Sequence, residues 1–514
     1  MHNKAPHPML YRTPNSPANR SAAMEKQKLR RLVRGPRRAA GELIALIVGR
    51  LDTRTALSTA VLARRWARVP RDLPALDFRV SDILPPEYDQ AVALREDNLP
   101  PDPAMAGMLD GFLARCEMGS TRALADGVTS FLAADCDGDA RRRVKTLRLE
   151  FFPTDHGGII ERLIAAAVGS WGVEDLEMVV RPASGHHDGP AYPFPDDCLG
   201  DGGRSRLRSL ALGNTTLPPL HSYEALTTLV LQGVAASTPV AVYERLFSDL
   251  TRLQVLHLIS CSCTADLDHL VVDAPGSAMR ELVVEECAFS RITVRALPML
   301  ARLACIGTTV VLRLDSVPNL TQVNLTFWGS KKPSNFLGKA PAATTSLVLR
   351  FTRPSRWVVP MHLATPFLGL KRLLVADLPS NWDVSWPRML VLAARSLEVL
   401  HSHVAHSDEK QGEEIAWWLW PRPKRKLRHR NMKEAVMIGF TQTSRQIKFL
   451  RDLVRMCRSL QRVVLLRDGQ VQYNGLWDWK MVGQPECPWS THDKMAVTKM
   501  IKPASRPLVD VILG

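Results

Sequence analysis

Three stretches of this chain share one spacing: Leu207-x-x-Leu210-x-Leu212, Leu226-x-x-Leu229-x-Leu231 and Leu253-x-x-Leu256-x-Leu258. Degenerate copies stand at Val144/Leu147/Leu149, Val173/Leu176/Met178, Met279/Leu282/Val284, Leu300/Leu303/Cys305, Leu320/Val323/Leu325, Thr344/Leu347/Leu349, Leu370/Leu373/Val375, Leu397/Leu400/Ser402 and Leu460/Val463/Leu465. Up to Ser402 the central positions are about 19 to 34 residues apart, a repeat period with insertions of uneven length. The last two positions of each copy are two residues apart, so on a strand both point to one side, and the first position enters the same interior from the preceding turn. One such strand buries almost nothing alone. About a dozen stacked together build a continuous core, so the spacing predicts an α/β fold: a solenoid with parallel strands on its concave face and helices and loops outside.

The outer layer has its own signals. Ile159, Leu163, Ile164 and Val168 recur at helical spacing, as do Val242, Leu246 and Phe247, and again Phe449, Leu450, Leu453 and Val454. Repeats are therefore expected over residues 144–402. The span 403–430 interrupts them with an acidic stretch (Asp408 to Glu414), Trp417-Trp418-Leu419-Trp420 and a basic run, and it reads as an inserted loop partly packed through its tryptophans. Residues 431–514 read as a last repeat and C-terminal cap, in which Leu508 to Leu513 is expected to form a strand over the open edge of the last repeat. Cys261 and Cys287 each fall three residues after the last apolar position of a copy, which makes them buried turn residues and not ligands or nucleophiles.

Upstream, residues 1–38 are rich in Pro, Asn, Ser, Arg and Lys without apolar periodicity, and a disordered basic tail is expected. The pattern changes at Ala39. Leu43, Ile44, Ile47 and Leu51 fall on one face of a helix, and after Asp52 or Thr53 as cap a second helix carries Leu57, Ala60, Val61 and Trp66. About 30 residues cannot bury both apolar faces internally, so part of that surface must meet another helix, from this chain or a partner. Ala75 to Val80 alternates as a short strand suited to pairing with the first repeat. Residues 82–104, broken by Pro85, Pro86, Pro100, Pro101 and Pro103, are expected to be irregular; Met108, Leu109, Phe112, Leu113 and then Leu124, Val128, Phe131, Leu132 predict helices capping the first repeat. The chain thus divides into a helical segment over 39–80, a linker and helical N-cap over 81–143, and the repeats.

The helical segment resembles the F-box, in the version found in plant F-box proteins with leucine-rich repeats. The resemblance lies in Ile47-Val48-x-x-Leu51, in Arg54-Thr55-Ala56-Leu57 and in Val61-Leu62-Ala63-Arg64-Arg65-Trp66, which is similar to the family's closing V-S-R-R-W pattern. The family pattern opens with Leu-Pro, where this chain has Ala39-Ala40. The resemblance implies the substrate-recognition subunit of a Skp-cullin-F-box E3 ubiquitin ligase, bound to its adaptor through the F-box and to a target protein through the leucine-rich repeats. Leu43, Ile44, Ile47, Leu51 and Val61 would form the adaptor-binding face, with Arg64, Arg65 and Trp66 near its edge. The implied partners are a Skp-type adaptor with its cullin complex and a protein substrate, and the chain itself would perform no bond chemistry.

Composition bounds the alternatives. The apolar content of 46% supports a large core, and the nine cysteines show no regular framework. Together with the lack of an apolar signal-peptide core this points to a reducing compartment, nucleus or cytoplasm. No run approaches the roughly 18 to 20 apolar residues that span a bilayer. The formal charge of +16 favours acidic partners. It concentrates at Lys26 to Arg38 and at Arg422 to Arg430, where Lys424, Arg425, Lys426 and Arg428 form a candidate nuclear-localisation segment. Two other functions fit: a non-degradative leucine-rich-repeat scaffold, or a nuclear nucleic-acid-binding protein with a steep salt dependence. Nucleic acid and membrane are not the expected partners. No nucleophile elbow, zinc-protease pair or phosphate-binding loop occurs, and Asp135 to Asp139 fails as a calcium loop because the glycine is Gly138 and the closing position holds Thr146. No cofactor or metal is expected.

Overall fold

In the computed structural model the described residues are Thr55, 74–96, 103–133, 144–153, 158–183, 191–195, 205–217, 220, 223–264, 268–307, 310–327, 341–351, 367–380, 387–405, 428–484, 489–502 and 508–514. They form a mixed α/β structure built on one fifteen-stranded parallel sheet. Its strands, in spatial order, are β1 (Ala75–Arg79), β2 (Thr146–Phe151), β3 (Asp175–Val180), β4 (Ser209–Gly213), β5 (Thr228–Gln232), β6 (Val255–Ile259), β8 (Glu281–Glu285), β10 (Arg302–Ile306), β12 (Gln322–Phe327), β13 (Ser346–Phe351), β14 (Arg372–Pro379), β15 (Val399–Ala405), β16 (Glu434–Ile438), β17 (Arg462–Leu466) and β20 (Asp510–Leu513). Each copy of the L-x-x-L-x-L spacing supplies one strand. The register aligns the central positions into one row, from Leu76, Leu147, Leu176 and Leu210 through Leu347, Leu373 and Leu400 to Ala435, Val463 and Val511. Every one of these from Leu76 to Val463 is buried. β16 escapes the leucine pattern because its inward positions are Met432, Ala435 and Met437, which fill the same interior.

Behind the sheet, the core is closed by α3 (Ile159–Ala165), α4 (Val240–Asp249), α5 (Pro387–Ala393) and α6 (Ser444–Met456). The three helical segments read from the sequence are thus helices. Helices and loops alone do not complete that layer, however. β7 (His269–Asp273), β9 (Arg291–Ala296) and β11 (Val311–Ser316) form a second, three-stranded parallel sheet. Their sequences, HLVVD, RITVRA and VLRLDS, are rich in β-branched residues, and Leu282, Leu303 and Val323 are only about 20 residues apart, which favours an extended crossing over a helix with two turns. Leu270, Val272, Ile292, Val294 and Leu312 from this sheet are buried in the core.

At the N-terminal end β1 pairs in parallel with β2, inside the span assigned to the helical segment. The span 82–104 is not irregular throughout, because α1 (Glu87–Glu96) occupies its middle, and the following apolar pattern is a single helix, α2 (Pro103–Ala133). Pro85 and Pro86 precede α1, and Pro103 is the first residue of α2, positions where a missing N–H costs nothing. Few apolar residues advertise α1. It is held by the Tyr88 hydroxyl donating to buried Glu117 at 2.8 Å and by Arg95 paired to Asp110 at 2.8 Å. At the other end β20, shorter than the expected Leu508 to Leu513, pairs with β17. Within 403–430, β15 runs on to Ala405 and His429 is buried with Nε2 2.8 Å from the Ala394 carbonyl, so both borders of that span belong to the framework; the tryptophans and most of the basic run lie outside the described residues. Among the described residues no helix is long and apolar enough to cross a membrane.

Candidate functional site

Residues between the inward-facing positions of each strand point to the opposite face of the sheet. Along β2 to β10 that face carries ion pairs: Arg148 meets Glu177 at 3.0 Å, Arg181 meets Glu150 at 3.3 Å, and Glu281 bridges His257 at 2.8 Å and Arg302 at 2.7 Å. In β13, β14 and β16 the same face carries buried apolar side chains, with His401 and His403 of β15 between them. Val348, Leu374, Ala376, Val436 and Ile438 stand there, so Leu373 to Ala376 and Ala435 to Ile438 are continuous apolar runs, as expected of strands covered on both sides.

The cover comes from the chain itself. β18 (Gly469–Asn474) and β19 (Asp478–Gly483) form an antiparallel hairpin separate from the large sheet, closed over Gly475 at φ 69°. Trp479, 3% exposed, packs on Val348, Leu374 and Ala376 beside Val471, Tyr473 and Met481. Three arginines of the sheet each meet an aromatic ring of the hairpin: Arg302 over Trp477 at 5.7 Å, Arg350 over Tyr473 at 4.5 Å and Arg372 over Trp479 at 4.4 Å. Arg372 also pairs with Asp478 at 2.9 Å, and the Asn324 amide donates to the Leu476 carbonyl at 2.8 Å. The hairpin thereby reaches from β17 across the face to β10.

The Trp479 indole N–H donates to His401 Nδ1 at 2.8 Å. An indole nitrogen only donates, so Nδ1 is unprotonated and the imidazole proton sits on Nε2, 3.1 Å from Glu434 Oε1. Burial pushes His401 below its usual value of 6.5, against the pull of Glu434, with Arg372 and Arg462 adding to the effect. Nearby, burial alone would raise Asp377, but His403 and Arg350 hold its carboxyl below the ordinary range, while burial pushes the Tyr473 hydroxyl up to about 12. A buried imidazole with a lowered pKa is neutral in the folded protein, so its docking with Trp479 is intact above the unfolded value and is lost as pH falls through the folded one. The Trp479 indole N–H resonance is expected to keep its hydrogen-bonded shift down to pH 6.5 and to lose it only as pH falls further, and to hold it throughout in His401→Gln, whose amide oxygen accepts without titrating. A wild-type shift already lost above pH 6.5 would contradict this.

The family described as At1g61320/AtMIF1, LRR domain, matches residues 139–480, more than half of the chain. The chain belongs to this leucine-rich-repeat family. The matched span runs from just before β2 into β19, so it takes in β18, the turn and the start of β19, whereas β1, α1 and α2 precede it. A leucine-rich-repeat domain is an architecture of protein–protein interaction, which directs attention to the sheet face. No curated protein matches the chain. The adaptor-binding residues Leu43, Ile44, Ile47, Leu51, Val61, Arg64, Arg65 and Trp66 lie outside the described residues, as do Lys424, Arg425 and Lys426; Arg428 is described and exposed. What the structure does assemble, the hairpin on the sheet face, went unassigned in the sequence, although Asn474-Gly475 between alternating residues is a strong hairpin signal. Cys261 and Cys287 are fully buried, with Sγ donating to the Leu231 and Leu258 carbonyls at 3.4 and 3.3 Å. Burial pushes the neighbouring Cys305 thiol up to about 12, which keeps it protonated. Among the described residues no group of His, Cys, Asp and Glu is placed to hold a metal ion.

Proposed function

We propose that this protein is the substrate-recognition subunit of a Skp-cullin-F-box ubiquitin ligase, with its repeats forming a solenoid that presents the sheet face to a target protein. The observation that carries the reading is the F-box-like segment Ala39 to Pro70, separated by only four residues from β1, the first strand of the sheet. In this reading the adaptor docks on Leu43, Ile44, Ile47, Leu51 and Val61, and the repeat domain sits directly behind it. The protein does no bond chemistry; it raises the effective concentration of target lysines near a ubiquitin-charged enzyme.

The test is capture of a Skp-type adaptor by the full-length protein, beside the double variant Ile47→Asp/Leu51→Asp. Wild-type binding should exceed that of the variant by about a hundredfold, the loss expected when two charges enter an apolar interface. Restoring Ala39→Leu/Ala40→Pro should tighten it. Equal retention of adaptor by wild type and variant, both with unchanged thermal unfolding, would leave the non-degradative scaffold as the function of this repeat domain.

A further inference from the structure

We propose that the sheet face over β10 to β15 is a binding site for an extended segment of another protein that carries aromatic side chains beside a carboxylate, and that the hairpin fills this site in the free chain. This goes beyond the ligase reading and holds whether or not an adaptor docks at the N-terminus.

The recognition chemistry is laid out by the hairpin. Arg302, Arg350 and Arg372 project from three strands of one face, and each is matched to a ring; Arg372 takes a carboxylate as well. Guanidinium groups select flat aromatic rings and carboxylates together, and the apolar floor of Val348, Leu374 and Ala376 seats a large ring between them. The hairpin shares no strand pairing with the large sheet, so side chains hold it there, with the Asn324 amide bond to the Leu476 carbonyl beside them.

Its fit is incomplete. Asn324 Oδ1 and Thr326 Oγ1 of the sheet are buried without a hydrogen-bond partner among the described residues, and both residues are only 3% exposed. Native interfaces seldom leave such atoms unsatisfied, and a segment bringing its own donors and acceptors would complete them where the hairpin does not. The two ends of the hairpin lie together, since the Gln484 amide donates to the Asp468 carbonyl at 3.1 Å, so it can leave as a unit without opening β17. Tethering gives it a high effective concentration, and an outside segment therefore binds well only once the hairpin is gone.

The experiment excises Gly469 to Gly483 from the full chain, joining Asp468 to Gln484 through a short Gly-Ser link. The probe is a fluorescein-labelled peptide with the sequence of Tyr473 to Lys480, with a scrambled peptide as control. The excised protein should bind the peptide at least about tenfold more tightly than the full chain does, and Arg350→Glu/Arg372→Glu in the excised protein should cost at least about tenfold. The full-length Trp479→Ala variant, which loosens the hairpin without deleting it, should bind the peptide with intermediate affinity and serves if the excised protein does not fold. Absence of peptide binding by a cooperatively folded excised protein, or binding equal to that of the full chain, would overturn the proposal. So would a full-length dimer that Trp479→Ala dissociates, because the occupant would then be a second copy's hairpin.

Discussion

Replacing Gly439 with alanine is expected to cost about 3 kcal/mol or more of stability, the sum of a left-handed backbone and a collision that cannot relax. Gly439 has φ 76°, and a Cβ there would sit 2.1 Å from the Val404 carbonyl oxygen and 3.0 Å from its carbon, both main-chain atoms of the neighbouring strand. The left-handed conformation alone does not set the cost. Two residues past the last inward position, the same point in other repeats is Asn214 (φ 55°), Ser260 (φ 49°), Glu286 (φ 52°) and Asp377 (φ 58°). Gly233 supplies the control: its Cβ would meet the Asn214 Oδ1 at 2.0 Å, the tip of a side chain that can move at the expense of its amide bond to the Val180 carbonyl. Gly233→Ala should therefore cost less, about 2 kcal/mol. Urea unfolding of the two variants side by side decides the matter, and equal losses would show that backbone angle, and not the approach of the Val404 carbonyl, is what demands glycine.

The repeat architecture was legible because its signal is physical and redundant. A leucine such as Leu210 or Leu256 that must fill a shared interior leaves its spacing in the sequence, and each copy confirms its neighbours. Where the interior accepts other residues the signal fades, as at Ala435 and Met437, whose strand was found only in three dimensions. The second sheet was missed for a different reason. A repeat pattern specifies the strands that stack but leaves the return path free, and HLVVD or RITVRA reveals its extended state only through β-branched content. The candidate site depended on contacts between residues far apart, such as Asn324 with Leu476 or Trp479 with His401, which no local period encodes. Two local hints were nevertheless present: Asn474-Gly475, and the unbroken four-residue apolar run Leu373 to Ala376.

Trp479→Ala is expected to free the hairpin while leaving the repeats folded. Truncating a buried tryptophan costs about 3 to 5 kcal/mol, and here the loss falls on one docked element. The ring at 3% exposure fills the contact with Val348, Leu374 and Ala376, its N–H is the partner of His401 Nδ1, and Arg372 stacks on it. All three interactions lie on the side of the sheet away from the main core, where Leu347, Leu349, Leu373 and Val375 pack independently of the hairpin. Amide exchange should rise across residues 469–483 and stay slow in β13 and β14. Trp479→Phe separates the contributions: it keeps most of the apolar contact and removes the donor to His401, a loss of about 1 to 3 kcal/mol. Because burial of the imidazole outlasts that hydrogen bond, docking of the phenylalanine variant should still weaken as pH falls below 6.5. If protection in β13 and β14 collapses together with that of the hairpin, the hairpin is part of the cooperative core, and the face beneath it is not available to any other occupant.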